Sequence, residues 1–131
     1  MEGPLSHVLL GEGGVDLVGS DLTLEGVLLA ARGHYKRMPL CVVEEWGVMD
    51  AILTEDELAK VAAAGCQPMF LFAHKVVHDE QRRLEPGHWV RSTIARAFKD
   101  GYLFETRNTV YVLKGPGCRK SSTLQGIFSI F

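Results

Sequence analysis

The sequence has few cysteines and no arrangement that would pair them. It has three, at Cys41, Cys66 and Cys118, and the first two lie in apolar runs. An odd number without a spacing pattern indicates reduced thiols rather than a disulfide framework. No run approaches the roughly 20 apolar residues of a membrane-spanning helix, and the first residues lack the basic region of a signal peptide. We therefore expect a soluble, cytoplasmic protein.

The sequence also lacks a strong excess of either charge sign, although its two halves differ. The overall formal charge is −2, which excludes a generic polyanion binder. Residues 1–66 have 11 acidic residues against 4 lysines and arginines, and residues 67–131 have 5 against 10. This asymmetry either marks a surface for an acidic partner or lets the two halves neutralise each other.

Repeats, low-complexity tracts and linkers are absent as well. The 131 residues, 47% hydrophobic and 23% charged, suit one globular domain with its own core. We predict a single domain, residues 1–131, in which the glycine-rich residues 1–20 form a loosely packed arm.

Two helices are predicted in the first half of the chain. Apolar residues recur at helical spacing over residues 24–31, with Ser20 or Thr23 as the N-cap and Gly33 as the end. The second helix starts at a capping box over residues 54–57, in which a threonine hydroxyl and a glutamate three positions later satisfy each other's backbone N–H groups.

Strands are predicted around and after the second helix. Residues 39–53 begin as a strand because β-branched residues run together there, and the apolar residues 68–77 are typical of a central strand covered on both faces. In the second half the apolar period changes to two. This pattern places Val90, Ile94 and Phe98 on one face of a strand and Ala95 on the other.

Two tight turns divide the second half into a β-meander. Asp100-Gly101 is a strong hairpin signal, because both positions of such a turn favour positive φ. Arg107-Asn108 predicts a second tight turn, because asparagine tolerates the left-handed conformation. The fold class is therefore α+β: two N-terminal helices packed on a mainly antiparallel sheet, which ends in a β-meander that can curl into a small barrel. The C-terminal tail forms a last helix or strand.

The stretch YVLKGPGCRKSST contains the glycines, cations and hydroxyl side chains that a phosphate-binding loop uses, but in the wrong order. A Walker A loop requires a glycine directly before its lysine, but Arg119 precedes Lys120 here. We therefore interpret GPG as a turn that leaves a strand, and Ser121 or Ser122 as a helix cap.

Histidine spacing does not favour a metal site. His74 and His78 are four residues apart, and on a strand that spacing covers about 13 Å, too far for two ligands of one zinc ion. Nothing in the sequence fixes His88 beside them. We predict no metal and no cofactor.

Cys118 is the candidate nucleophile, since Arg119 and Lys120 could lower its thiol pKa. No histidine base is placed beside it by any sequence feature. A cysteine in a surface loop without a role is the favoured interpretation, and no catalytic residue is predicted. Adjacent acids such as Glu44-Glu45 point to opposite faces of a strand and give no sign of acid–base catalysis.

The basic residues of the C-terminal half remain as site candidates. We predict a partner-binding face on the meander composed of Arg91, Arg107, Asn108, Lys114, Arg119 and Lys120. Arg91 and Arg107 would lie close together. They are either paired internally, with Glu105 or Asp100, or exposed as interface arginines.

Aromatic residues are interleaved with these cations, as in proteins that bind single-stranded nucleic acid. The aromatic residues are Tyr102, Phe104 and Tyr111. Tyr102 and Phe104 are two residues apart on a strand, so both would face the core, which argues against a role in binding bases. Trp46 and Trp89 are interpreted as core or edge anchors.

Several short segments carry a family resemblance. They are FAH-VV, G-WVRST, LFETRNTVYVL and GPG-RK within residues 71–121, together with VVEEW near Trp46. Over residues 40–121 or so the chain resembles a family of short uncharacterised proteins of pseudomonads and their prophages. The family has no known function, so the resemblance implies no active residue. It implies a bacterial or phage accessory protein, and such proteins often bind a host protein.

The function expected from the sequence is that of a non-enzymatic binding protein. Its basic meander would engage an acidic surface of a bacterial host protein and inhibit or modulate it. The alternative is a nucleic-acid-binding protein that uses the same face, and the third is a small enzyme of unknown reaction based on Cys118 or a histidine. No membrane partner is expected, and a homodimer remains open.

Overall fold

A computed structural model describes residues 14–129, which form one eight-stranded sheet and three helices. In chain order the elements are β1 (Val15–Leu17), α1 (Leu24–His34), β2 (Leu40–Ile52), α2 (Glu55–Ala63), β3 (Met69–Asp79), β4 (Val90–Arg91), β5 (Ala97–Lys99), β6 (Leu103–Glu105), β7 (Val110–Leu113), β8 (Gly117–Thr123) and α3 (Leu124–Phe128). The chain is therefore α+β, as predicted.

The long strand β2 is the centre of the sheet. One of its edges pairs antiparallel with β3, and the other pairs parallel with β7 and then with β8. Beyond these strands the sheet continues antiparallel, with β6 and β5 next to β7 and with β1 next to β8. Most pairs are antiparallel and β5–β6–β7 is a meander, as predicted. The parallel pairing of β2 with β7 and β8 was not predicted. Strand β8 leaves the meander and runs along the central strand.

The sheet curls into a half-barrel because one segment joins its two edges. After β4 the chain still follows β3, and the Ser92 N–H donates to the Leu71 carbonyl over 2.8 Å. Four residues later the Arg96 N–H donates to the Glu105 carbonyl of β6 over 2.7 Å. The sheet therefore curls, as predicted, and the curled sheet is a half-barrel.

The single alternating strand predicted over this segment is wrong. Val90 and Ala95, expected on opposite faces, both belong to the same buried cluster. The Ala95 N–H donates to the Met69 carbonyl over 2.9 Å. This segment pairs first with β3 and then with β6. Its side chains therefore do not alternate regularly between two faces along its whole length.

The apolar core consists of one inner and two outer clusters. Val43 and Trp46 are three residues apart, yet both face the inner cluster. The phase shifts because β2 is irregular at Glu45, which has a φ of 54°. The outer residues of β2 on the two sides of this irregularity therefore belong to separate clusters. One contains Val27 of α1 and the other contains Ile127 of α3.

Helix α1 starts as predicted and ends later than predicted. The Thr23 hydroxyl accepts the Gly26 N–H over 3.1 Å, which identifies Thr23 as the N-cap. The prediction that Gly33 ends the helix is wrong, because α1 continues to His34 and its C-cap is Tyr35. Tyr35 is buried in the outer cluster, so packing of that ring places the end of the helix.

The other helices differ from the prediction in their packing and caps. The capping box of Thr54 and Glu57 is present at α2. However, α2 has no buried residue, so the prediction that both N-terminal helices pack on the sheet is wrong for α2. Helix α3 is capped by Thr123 rather than by Ser121 or Ser122, because β8 extends to residue 123.

Part of the predicted N-terminal arm lies against the sheet. Residues 1–13 are outside the described residues, but Val15–Leu17 pair with β8. Ser20 is buried, its N–H donates to the Leu113 carbonyl over 2.9 Å, and its own carbonyl accepts the Gly115 N–H over 2.8 Å.

Candidate functional site

A loop folded around the buried carboxylate of Asp79 begins the candidate site. Asp79 is the last residue of β3, and its oxygens accept the backbone N–H groups of Gln81, Arg83 and Leu84 over 3.1–3.2 Å. Burial raises the pKa of Asp79, but the hydrogen bonds from Arg83 and the backbone outweigh that effect and hold the pKa below its usual value. The carboxylate is therefore charged at neutral pH, and it fixes the loop.

Arg83 ties this loop to the turn between β6 and β7. Its guanidinium bonds to Asp79 over 3.3 Å and donates to the Thr109 hydroxyl over 3.0 Å. Thr109 closes the predicted turn, because its carbonyl accepts the Thr106 N–H over 2.8 Å. Arg107 and Asn108 are the two exposed residues of that turn. The turn does not use the left-handed conformation that Asn108 would tolerate, since its φ is not positive.

Arg96 reaches the same end of the sheet from the other side of β6. Its N–H donates to the Glu105 carbonyl, so Arg96 lies across from the start of the turn that contains Arg107. Loop and turn thus gather four arginines, which we call the arginine end: Arg82, Arg83, Arg96 and Arg107. All four are exposed.

Three members of the arginine end are not paired with a carboxylate of the described chain. Within residues 14–129, Arg83 is the member that forms an ion pair, with Asp79. The other three members have no ion-pair partner among these residues. The neighbouring carboxylate of Glu80 is engaged elsewhere, by Arg32 of α1. Three uncompensated guanidinium groups therefore face solvent.

The six residues of the predicted basic face are not all brought together. Arg107 and Asn108 lie at the arginine end, but Lys114 bonds to Glu44 over 3.2 Å, at the junction of β7 and β8. Arg119 makes two hydrogen bonds of 2.8 Å to Asp50, near the far end of β2. Both cations form ion pairs with carboxylates of the central strand, and Glu44 also pairs with Lys75.

The remaining two residues of that face lie elsewhere. The guanidinium of Arg91, on β4, lies 4.8 Å from the ring centroid of Phe128 in α3. Lys120 is half-buried on β8.

The carboxylates expected beside Arg91 and Arg107 have other partners. Glu105 accepts the Tyr35 hydroxyl over 2.9 Å and lies 3.9 Å from Lys99. Asp100 lies 3.4 Å from His34. Asp100 also starts the predicted hairpin, with a φ of 55° followed by 75° at Gly101. Neither acid shields the arginine end.

The GPG turn, rejected above as a phosphate-binding loop, is built around an indole ring. It joins β7 to β8, as the interpretation of GPG as a turn predicts. The Trp46 N–H donates to the Gly115 carbonyl over 3.0 Å. A Cβ at Gly117 would overlap the Trp46 ring. The second glycine is therefore required for packing against tryptophan.

Cys118 does not have the surroundings of a nucleophile. It was expected in a surface loop, but it is buried in β8 beneath α3. Burial raises the pKa of its thiol, and Lys120 lowers it by less. The thiol is protonated at neutral pH, so the activation by Arg119 and Lys120 that was considered for a nucleophile is absent.

The two histidines that were considered as zinc ligands lie on one strand. His74 and His78 lie on β3, as assumed when their spacing was rejected for zinc. Among residues 14–129 there is no group of three or more His, Cys, Asp or Glu side chains arranged to hold a metal ion.

The aromatic rings interleaved with the basic face do not form a stacking platform. Phe104 is fully buried, Tyr111 is buried, and the half-buried Tyr102 packs against the inner cluster. Trp46 is a core residue, as interpreted, whereas Trp89 is 43% exposed.

The family comparison covers this whole arrangement. A family model described as a domain of unknown function, DUF6957, matches residues 18–129. The chain belongs to this family. The DUF6957 match includes both the GPG turn and the arginine end, so it extends well beyond the resemblance over residues 40–121. No curated protein and no solved structure matches the chain. None of the helices in the described part of this DUF6957 chain combines the length and apolar character needed to cross a bilayer.

Three members of the arginine end, Arg82, Arg83 and Arg96, were missed by sequence reasoning. The available signal was local: Asp79 and Arg83 are four residues apart at the end of a strand, which is the spacing of a carboxylate that organises a loop. The hairpin signal at Asp100-Gly101 was available for Arg96, because the pairing of Ala97 with Glu105 across that hairpin places Arg96 beside the turn that contains Arg107.

Proposed function

We propose that this DUF6957 chain is a non-enzymatic binding protein whose arginine end engages an acidic surface of another protein. The observation that carries the proposal is the group of three exposed arginines, Arg82, Arg96 and Arg107, which lack ion-pair partners within residues 14–129. The bond from Arg83 to Thr109 joins the loop of Arg82 to the turn of Arg107.

Arginine is suited to this role for chemical reasons. Its planar guanidinium binds a carboxylate through two parallel hydrogen bonds, and it is enriched in protein interfaces. The loop that carries Arg82 is held by the buried Asp79. A loop that is already ordered loses less conformational entropy on binding.

The proposal keeps part of the face expected from the sequence. Arg107 and Asn108 remain in it, whereas Lys114 and Arg119 already bind Glu44 and Asp50. The resemblance to short prophage proteins favours a bacterial host protein as the acidic partner, and inhibition or modulation of that protein as the outcome.

Nucleic acid is the second candidate, because arginines also bind phosphates. The rings that would stack on bases, Phe104 and Tyr111, are buried, so single-strand recognition through them is not supported. Binding to nucleic acid would rely on phosphate contacts, and its affinity would fall steeply with salt concentration.

A charge-reversal comparison tests the proposal. The Arg96→Glu/Arg107→Glu protein is compared with the matched control Lys60→Glu/Lys120→Glu, which changes the same total charge on α2 and β8. Tagged proteins capture partners from nuclease-treated and untreated bacterial lysate, and the affinity for each purified partner is then measured at several salt concentrations. We expect an acidic protein that the wild type and the control bind equally, and that the Arg96/Arg107 variant binds at least about tenfold more weakly.

Two results would contradict this proposal. Equal binding by the Arg96/Arg107 variant and the control would remove the arginine end as the contact surface. A bound species that disappears with nuclease, with affinity that falls steeply as salt rises, would favour the nucleic-acid function instead.

A further inference from the structure

Helix α2 buries none of its residues. It has nine residues, and its capping box joins Thr54 and Glu57, which are both part of the helix or its cap. Leu58 is 40% exposed. Helices shorter than about 12 residues are only marginally stable in water, and helices in proteins gain most of their stability from packing. Packing against another molecule would supply the stabilisation that the rest of the chain does not give to α2.

The first turn of α2 is acidic. Glu55, Asp56 and Glu57 are all exposed. Glu57 accepts the backbone N–H of Thr54 over 2.9 Å and so completes the cap. The other two acids form no ion pair with any residue of 14–129. Two carboxylates in one helical turn are therefore available to cations.

The arginine end carries the complementary charge, but it lies at the other end of the sheet. The loop of Arg82 starts at Asp79, which is opposite Cys41 near the beginning of β2. Helix α2 instead follows the end of β2, beyond Asp50. Asp50 lies nine positions after Cys41, a separation of about 30 Å along a strand. Glutamate and arginine side chains do not span that distance, so these opposite charges can meet only between two copies of the chain.

We infer that α2 of one copy of this chain binds the arginine end of a second copy. Glu55 and Asp56 pair there with the guanidinium groups that have no ion-pair partner in their own chain. This inference rests on the proposed function, because the arginine end is again the surface that binds carboxylates. It adds a form of regulation, since an arginine end occupied by α2 is closed to the acidic partner. The acidic residues 1–66 and the basic residues 67–131 then balance each other between copies.

The contact joins two different surfaces, so it does not close on itself. After one contact forms, one copy still has a free α2 and the other still has a free arginine end. Contacts of this kind build rings or open chains rather than a symmetric dimer. Attraction between exposed charges is screened by salt. Assembly is therefore expected at low salt and at high protein concentration.

Two variants, each with one of the two surfaces removed, test the inference. Glu55→Gln/Asp56→Asn loses the free carboxylates of α2 and keeps its capping box, and Arg96→Glu/Arg107→Glu changes the arginine end. Sedimentation velocity of the full-length proteins is measured over a range of concentrations. We expect the wild type to form species larger than a dimer in about 50 mM NaCl and to remain a monomer in about 500 mM NaCl. Each variant alone should associate at least about tenfold more weakly.

Mixing the two variants separates a specific contact from a general effect of charge. An equimolar mixture has one intact α2 surface and one intact arginine end, so it should form a complex of one copy of each variant and grow no further. The matched control is Asp21→Asn/Glu25→Gln, which loses two exposed carboxylates at the start of α1. This control should assemble as the wild type does.

The possible failures are distinguishable. A wild type that stays monomeric at low salt, variants that assemble as well as the wild type, or a mixture that forms no complex would overturn the inference. The proposed function would stand if Glu55→Gln/Asp56→Asn still captures an acidic partner from lysate and Arg96→Glu/Arg107→Glu does not. If the arginine variant captures that partner as well as the wild type, the proposed function fails and the inference fails with it. Should circular dichroism show that this variant is unfolded, Arg96→Gln/Arg107→Gln takes its place in every comparison.

Discussion

Replacing Gly117 with alanine tests whether the turn between β7 and β8 is built around Trp46. The new Cβ would overlap the indole, and it would lie 2.6 Å from Cε3, an atom of a fully enclosed ring that cannot move aside. The ring is held on its other side by the inner cluster and by its hydrogen bond to Gly115. The backbone of β8 must therefore shift away from β2.

The expected cost can be estimated from two contributions. Overpacking a rigid core site costs about 1–3 kcal/mol. Displacing the indole also weakens its bond to the Gly115 carbonyl, and a hydrogen bond of this kind contributes about 1 kcal/mol. We expect the free energy of unfolding to fall by about 2–4 kcal/mol, which is a large part of the stability of a domain of this size.

Gly33→Ala is the matched control, since it adds the same methyl group in open space. Apart from its chain neighbours and the adjacent helix backbone, nothing lies within 4 Å of a Cβ at that position, and the residue is exposed within α1. Because alanine favours helix over glycine, this variant should gain about 0.5–1 kcal/mol.

Urea unfolding of both variants, with Trp fluorescence and circular dichroism as probes, provides the measurement. If Gly117→Ala loses less than about 0.5 kcal/mol while Gly33→Ala gains stability, the argument that the indole requires a glycine there is refuted.

Two further predictions concern buried titratable groups. Asp79→Asn should cost about 1–3 kcal/mol at pH 7, because it weakens the bonds to Arg83 and the loop. The pKa of Asp79 lies below its usual value, so its carboxylate stabilises the native state above pH 4 or so and loses that contribution as the pH falls further. The stability gap between wild type and Asp79→Asn should therefore narrow from pH 7 to pH 3, and a constant gap in thermal unfolding would contradict this role. Burial raises the pKa of Cys41 to about 12 and also raises that of Cys118, so a thiol reagent should modify Cys66 in the native protein and the other two only after unfolding; three thiols reacting at the same rate in the folded chain would be the opposite result.

Local signals in the sequence predicted local structure well. The capping box at Thr54, the cap at Thr23 and the hairpin at Asp100-Gly101 all depend on interactions within about four residues. The strand character of β2 and β3 also followed from their apolar, β-branched runs. These predictions held because the groups that stabilise each feature lie within the same short segment.

Predictions that depended on distant partners were less successful. Whether α2 packs on the sheet cannot be determined from its own periodicity, and it buries no residue. The strand expected over residues 89–98 divides because its two ends pair with different strands. The parallel partners of β2 come from the far end of the chain, and no local pattern identifies them.

The sequence by itself determined the fold class, the main turns and helix caps, and the rejection of a Walker A loop, because each depends on short-range chemistry or on overall composition. The tertiary structure decided which cations are available to a partner. Lys114 and Arg119 pair with carboxylates 70 and 69 positions away, whereas Arg82, Arg96 and Arg107 have no ion-pair partner in the described chain. Charge pairing acts through space, so basic residues that look alike in the sequence are paired at some places on the sheet and unpaired at others.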